Sequence, residues 1–303
     1  VDPVDYTKNY DYERLIGEEK AHYSDIEVTS DLKEGGEHAS EPWTYYWQHV
    51  WEAIHRNPMV SMGAWLRREL GKDGRPIEVL SLGSGYCGHE LGFARTIGHP
   101  CRIVCTDINE DLFSQAKDVA ATENLNVEFR VADLNFIDIE PGRYHMIFAH
   151  AVLHHVINLE RLYMQIRSGL TDDGVLHLVE VVGKNRELIW DENEVFANRL
   201  LDTLPDEVTG GLRLAVEPED SGMEGVRQED IMPLLAQSFK PLFQHSHGAF
   251  MRFICTNADL NKRFNPNHPL QKRCLDFLIE CDDTAVRNGI LRPLEIWGVY
   301  RPS

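Results

Sequence analysis

Trp43, Tyr46, Trp47, Val50 and Trp51 recur three and four positions apart behind Pro42, so PWTYYWQHVWEAIH is expected to be a helix with one apolar face. Pro suits the first turn, where its missing N–H has no partner to lose. Asn57 and Pro58 break the pattern, and a second helix is expected from Met59 to Leu70. Residues 1–40 read as irregular and polar, with Gly35 and Gly36 as a flexible point. From Ile77 the pattern changes: short apolar runs alternate with helical spacings. Strands are expected at 77–82, 101–107, 126–133, 144–150 and 174–182, with helices at 89–97, 110–124 and 159–170 between them. Further helices are expected at 191–203, 228–238 and 269–289, a sixth strand over 240–255 and a seventh over 294–302. Strands alternating with helices predict an α/β fold, a doubly wound and mostly parallel sheet with helices on both faces and right-handed crossovers. The organisation read from this is an acidic N-terminal segment with aromatic helices over 1–72, a candidate lid, and a main domain over 73–303 with helical insertions at about 185–238 and 256–292.

The formal net charge of −19 argues against a nucleic-acid partner, which calls for a basic surface. From Val1 to Pro42 there are 12 Asp or Glu against 4 Lys or Arg, which reads as a solvated surface, or more sharply as a lid that attracts a cationic or neutral substrate. No apolar run approaches a membrane span, and the acidic start lacks the layout of a signal peptide. With no Met at its start, the chain is expected to have been trimmed or cut from a longer one. The six cysteines form no CxxC pair, which fits a reduced, cytoplasmic protein; Cys101 and Cys105 are expected in the core.

VLSLGSGYCGHE places Gly83, Gly85 and Gly88 between a strand and a helix. Glycine lets the backbone turn tightly and a ligand approach closely, and the helix start offers free N–H groups. The spacing also matches the dinucleotide fingerprint, so a nicotinamide cofactor stays open here. Asp107 closes the second strand 24 residues after Gly83, where a carboxylate can accept from both hydroxyls of a ribose. Asp133 closes the third strand and can accept from an adenine amino group, with the Leu134 N–H beside it. Each aspartate also has a plain reading, as a helix cap or a turn former.

Together these residues resemble the class I S-adenosylmethionine (SAM)-dependent methyltransferases. The likeness runs through EVLSLGSG, Thr106-Asp107, Val131 to Leu134 and FAHAVLHHV, over roughly residues 75–182, and extends more weakly to bacterial small-molecule and glycan methyltransferases. It implies a seven-stranded sheet with the last strand antiparallel, SAM as cofactor, and a cytoplasmic enzyme. It also implies contacts to the methionine moiety from Gly83 and Gly85, to ribose from Asp107, and to adenine from Asp133 and Leu134, with Ser84, Ile108 and His150 completing the cofactor-binding set. Two departures stand out: Ser81 where the family often has an acidic residue, and Cys87 near its third glycine, with Gly88 one place later.

A hydroxyl acceptor loses a proton on methylation, so it calls for a base or a metal; an amine needs only a neutral nitrogen. His150, His154 and His155 follow the fourth strand, and Glu180 lies in the apolar run LHLVEVV, where a carboxylate is costly unless paired or functional. His155, His154 and Glu180 are the catalytic candidates, His155 favoured on family likeness; the plain reading makes the histidines helix-start residues and Glu180 a buried hydrogen-bonded group. His245 and His247 would share one strand face, which suits a metal, but no third ligand is evident and no metal is expected. The aromatic helix either packs on the core or covers the cofactor and acceptor. The reading is a SAM-dependent methyltransferase acting on a small-molecule or glycan acceptor, at a hydroxyl oxygen. The alternatives are N-methylation of an amino sugar or peptide amine, an NAD-dependent dehydrogenase, and a non-catalytic relative.

Overall fold

The computed structural model describes residues 4–24, 40–56, 66, 74–219 and 222–303. The expected helix at 59–70 lies outside them, apart from Leu66. Strands β1 (Ile77–Leu82), β2 (Cys101–Asp107), β3 (Val127–Val131), β4 (Tyr144–His150), β5 (Leu170–Val181), β6 (Phe239–His247) and β7 (Glu295–Pro302) form one sheet in the order β3-β2-β1-β4-β5-β7-β6. The first five pair in parallel, and β7 runs antiparallel to both neighbours. The winding reverses between β1 and β4, and in open α/β sheets such a switch point opens a crevice beyond the strand ends.

The helices are α1 (Tyr12–Ser24), α2 (Glu41–His55), α3 (Gly88–Thr96), α4 (Ser114–Thr122), α5 (Leu159–Gly169), α6 (Asp191–Leu201), α7 (Asp206–Thr209), α8 (Ile231–Ser238), α9 (Met251–Thr256) and α10 (Pro269–Arg287). Side chains alternate across the sheet, which splits the core in two. One face, with Val79, Ile103, Met146 and Val299, packs with Trp43, Tyr46, Leu91, Ile254 and Leu278. The other, with Leu82, Ile147 and Leu178, packs with Leu159, Leu162 and Ile166 of α5 and Ile231 and Leu235 of α8. Cys105 is buried and Cys101 half-buried. Among the described residues no helix is long and apolar enough to cross a membrane.

Two expectations fail. Over its described residues the N-terminal stretch is not irregular: Leu15, flanked by Tyr12 and Ile16, turns an apolar face of α1 onto Ile157, Met223 and Val226. The sixth strand does not reach residue 255. It stops at His247; Gly248 turns the chain at φ +69°, and α9 follows. The cause is Asp282, fully buried on α10, whose Oδ1 accepts from the backbone N–H groups of Ala249, Phe250 and Met251 at 2.9, 2.7 and 3.1 Å. A carboxylate suits a helix start, where N–H groups lack partners. The inserted α10 thereby holds the end of β6, and its Asp276 and Asp283 accept from Tyr45 and pair with His49 of α2.

Asp282→Ala leaves three buried N–H groups unpaired and is expected to lower the unfolding free energy by about 3 kcal/mol in urea titration; a loss within ~0.5 kcal/mol would show that the carboxylate is not the clamp.

Candidate active site

The turn after β1 is built on left-handed backbone. Gly83 has φ +58°, and a Cβ there would lie 2.1 Å from Val152 Cγ2. Gly85 has φ +48° with open space at its missing side chain. Cys87 also adopts φ +58°, the conformation that the glycine usual near this place takes without cost. The Ser81 departure is balanced from outside the strand: its hydroxyl donates to Glu90 of α3 at 2.5 Å, so the helix supplies the missing carboxylate. Burial pushes that carboxyl up to about 7.

Asp107 stands at the end of β2 as expected. It accepts from Gly85 N–H at 2.9 Å and Asn109 N–H at 2.9 Å, which ties the glycine turn to the second strand. Burial raises its pKa against these donors. Ser84 donates its N–H to Thr106 O at 2.8 Å, Ile108 is half-buried, and Leu134 belongs to the core. Asp133 accepts from Asn135 N–H and from the hydroxyl of Tyr12, 2.9 and 2.8 Å from its two oxygens. The N-terminal helix thus already touches the carboxylate assigned to adenine.

The histidines divide into two groups. His150 lies on the sheet face turned to α2, its ring 4.3 Å from that of His89, and burial drives its pKa down to about 3. With His89, His177, Trp47, Trp51 and Trp297 it lines a cavity of about 90 Å³. The aromatic helix answers to both readings: Trp43, Tyr46, Val50 and Ile54 are core, while Trp47 and Trp51 border this cavity. His245 and His247 stack at 5.3 Å, and burial takes both down to about 4.

His154 and His155 sit on a 3-10 turn, Leu153–His155, after the left-handed Ala151 at φ +48°. Both are buried. Glu180, at the end of β5, is fully occupied: it accepts from Val152 N–H at 3.0 Å, Leu153 N–H at 2.7 Å, Val181 N–H at 2.7 Å and His154 Nδ1 at 2.5 Å. It therefore stands behind His154 as its support. His154 Nε2 lies 3.1 Å from Glu224 Oε1, and His155 Nε2 3.5 Å from Glu224 Oε2. His155 Nδ1 pairs with Glu19 of α1 at 2.9 Å. Burial works against charge on both rings, but Glu180 and Glu224 outweigh it at His154, and Glu224 with Glu19 at His155, so both are held above the ordinary histidine range.

Glu224 and Glu19 carry no periodic or motif signal, and the sequence reading missed both. They arrive by packing. Met223 N–H donates to Glu19 at 3.1 Å, Val226 N–H donates to His154 O at 3.1 Å, and Arg227 grips Glu160 at 2.8 Å through both terminal nitrogens. The cluster adjoins the glycine turn, since Val152 packs on Gly83 and the charge of Glu19 acts on Asp107. Among the described residues, His154, His155 and Glu224 are the one group of three with ligand atoms close enough to share a metal ion.

A glycine turn tied to a strand-end aspartate and a polar cluster after β4 thus lie beside the switch point, at the C-terminal ends of the parallel strands. Residues 79–174 match the family model described as a methyltransferase domain. The chain is 32% identical over 114 residues to the highly reducing polyketide synthase AFT9-1 of Alternaria alternata, and 31% identical over 111 residues to the non-reducing polyketide synthase SAT8 of Stachybotrys chartarum. These stretches cover 34% and 35% of this chain and only 4% of each synthase. Its fold is similar to that of geranyl diphosphate C-methyltransferase from Streptomyces coelicolor A3(2), with a TM-score of 0.51 at 12% identity over 95% of this chain and 98% of the other.

Gly83→Ala meets both a clash and a left-handed φ and is expected to cost about 3 kcal/mol in chemical denaturation, whereas Gly85→Ala, with open space, costs only the backbone term of about 1–2 kcal/mol. Equal losses would show that contact with Val152 does not shape the turn.

Proposed function

We propose that the chain is a SAM-dependent methyltransferase that transfers its methyl group to a hydroxyl oxygen of a small-molecule or glycan acceptor. The cofactor's sulfonium supplies the electrophilic methyl. The glycine turn fits its methionine moiety by leaving open space at Gly85, while Val152 packs against Gly83. Asp107 has two N–H donors in place and lone pairs to spare for ribose hydroxyls. At Asp133 an adenine amino group would share the carboxylate with Tyr12 or replace its hydroxyl.

The observation that carries the reading of the acceptor is the buried cluster of His154, His155, Glu180 and Glu224 next to the glycine turn. Amine methylation needs no such array, since a neutral amine brings its own lone pair. A hydroxyl must lose a proton as the new bond forms, and a cluster that holds and exchanges protons provides for that. Burial keeps water away from the transfer, and the supports of His154 fix its direction before the acceptor arrives. A carbon acid is the second reading, because it too must lose a proton and because the curated relatives are polyketide synthases.

Calorimetric titration with S-adenosylhomocysteine tests the first step: the native chain is expected to bind, and Asp107→Ala to lose binding. A folded native sample that does not bind removes the methyltransferase reading. With an acceptor found by screening, His154→Ala is expected to cut transfer by about 10²–10⁴-fold while S-adenosylhomocysteine still binds; unchanged transfer would instead favour an amine.

A further inference from the structure

We propose that His154, His155 and Glu224 hold a divalent transition-metal cation. The inference rests on reading this cluster as the place where the acceptor is activated. One ligand atom from each residue lies within 4.8 Å of the others. Both Nε2 atoms face the same carboxylate, at 3.1 and 3.5 Å. Both Nδ1 atoms are backed by a buried carboxylate, Glu180 at 2.5 Å and Glu19 at 2.9 Å. At His154 this is the arrangement that metal-binding imidazoles show: the rear N–H donates to a carboxylate, which fixes the tautomer and leaves the lone pair on the front nitrogen. Two adjacent imidazoles whose front nitrogens converge on one carboxylate, the first of them held from behind by Glu180, are the observation that carries the inference.

The charge of the cluster allows such a cation. Three carboxylates, Glu19, Glu180 and Glu224, surround two imidazoles in a buried space. Two protons on the rings bring the three carboxylates from −3 to −1, and a dication that displaces both protons leaves the same −1. The nearby Arg252 pairs with Glu187 and Glu295, at 3.5 and 3.2 Å, and its charge also acts on Glu224.

Two imidazoles and one carboxylate suit zinc, manganese, iron or cobalt better than magnesium or calcium, which prefer all-oxygen shells. Three protein ligands leave at least one coordination position free. An acceptor hydroxyl placed there would lose its proton more readily, because the cation stabilises the alkoxide. Glu19 and Glu224 come from the N-terminal helix and a distant loop, so the site closes only when both are docked.

The test is a titration of the full, chelator-treated chain with Co²⁺, followed by visible absorption. One equivalent is expected to bind with the d–d bands of a low-coordinate nitrogen and oxygen site, Zn²⁺ to displace it, and both ions to raise the melting temperature. Glu224→Gln and His155→Ala are expected to lose the bands, and Glu19→Gln to weaken binding by about 10–100-fold; melting of each metal-free variant reports whether it folds. Absence of bands and of any melting shift in the native chain overturns the site, as does binding unchanged in Glu224→Gln. S-adenosylhomocysteine titrated into the same metal-free sample judges the methyltransferase reading separately. Cofactor binding without Co²⁺ binding sinks only the metal site, and Co²⁺ binding without cofactor binding sinks only the methyltransferase reading.

Discussion

The buried carboxylate of Glu180 organises the turn that follows β4. It takes three backbone N–H groups and one imidazole nitrogen, which fixes the turn that carries His154 and His155. A carboxylate in an apolar strand is a large cost if left alone, and here its lone pairs are filled. Because the turn is fixed, Val152 meets Gly83, and the glycine turn is held by packing as well as by its bond to Asp107. The glycine turn and the histidine turn are therefore both tied to one group at the end of β5.

The sheet face toward α2 and the turn after β4 carry histidines of opposite character. On the face toward α2, aromatic neighbours and burial keep His150, His177 and His247 neutral around a small cavity. Beyond the strand ends, His154 and His155 lie among carboxylates that favour charge. The same residue type serves as an apolar wall in one place and as a polar centre in the other, and the neighbours supplied by the fold make the difference.

The sheet was largely legible because buried parallel strands are short, apolar and bounded by glycine or aspartate, as in IEVLSL and CRIVCTD. The glycine turn and Asp107 were legible because spacing along one strand–turn–helix unit places them. The N-terminal helix was not, since Tyr12, Leu15 and Ile16 form too narrow a stripe among charges to stand out. Nor was the helix after β6, because Asp282 creates it from 31 to 33 residues away. The cluster was half legible. His154, His155 and Glu180 lie near recognisable strand ends, whereas Glu19 and Glu224 reach it only through tertiary packing.

That division bears on what shared ancestry can transmit. The stretch matched by the family model, residues 79–174, contains the glycine turn, both aspartates and the histidine pair. It stops short of Glu180 and Glu224 and begins after Glu19. Two proteins can agree throughout this stretch and still surround their histidines with different groups. Common descent of the core thus predicts a common donor, while the partner that receives its methyl group is free to diverge with the segments folded around it.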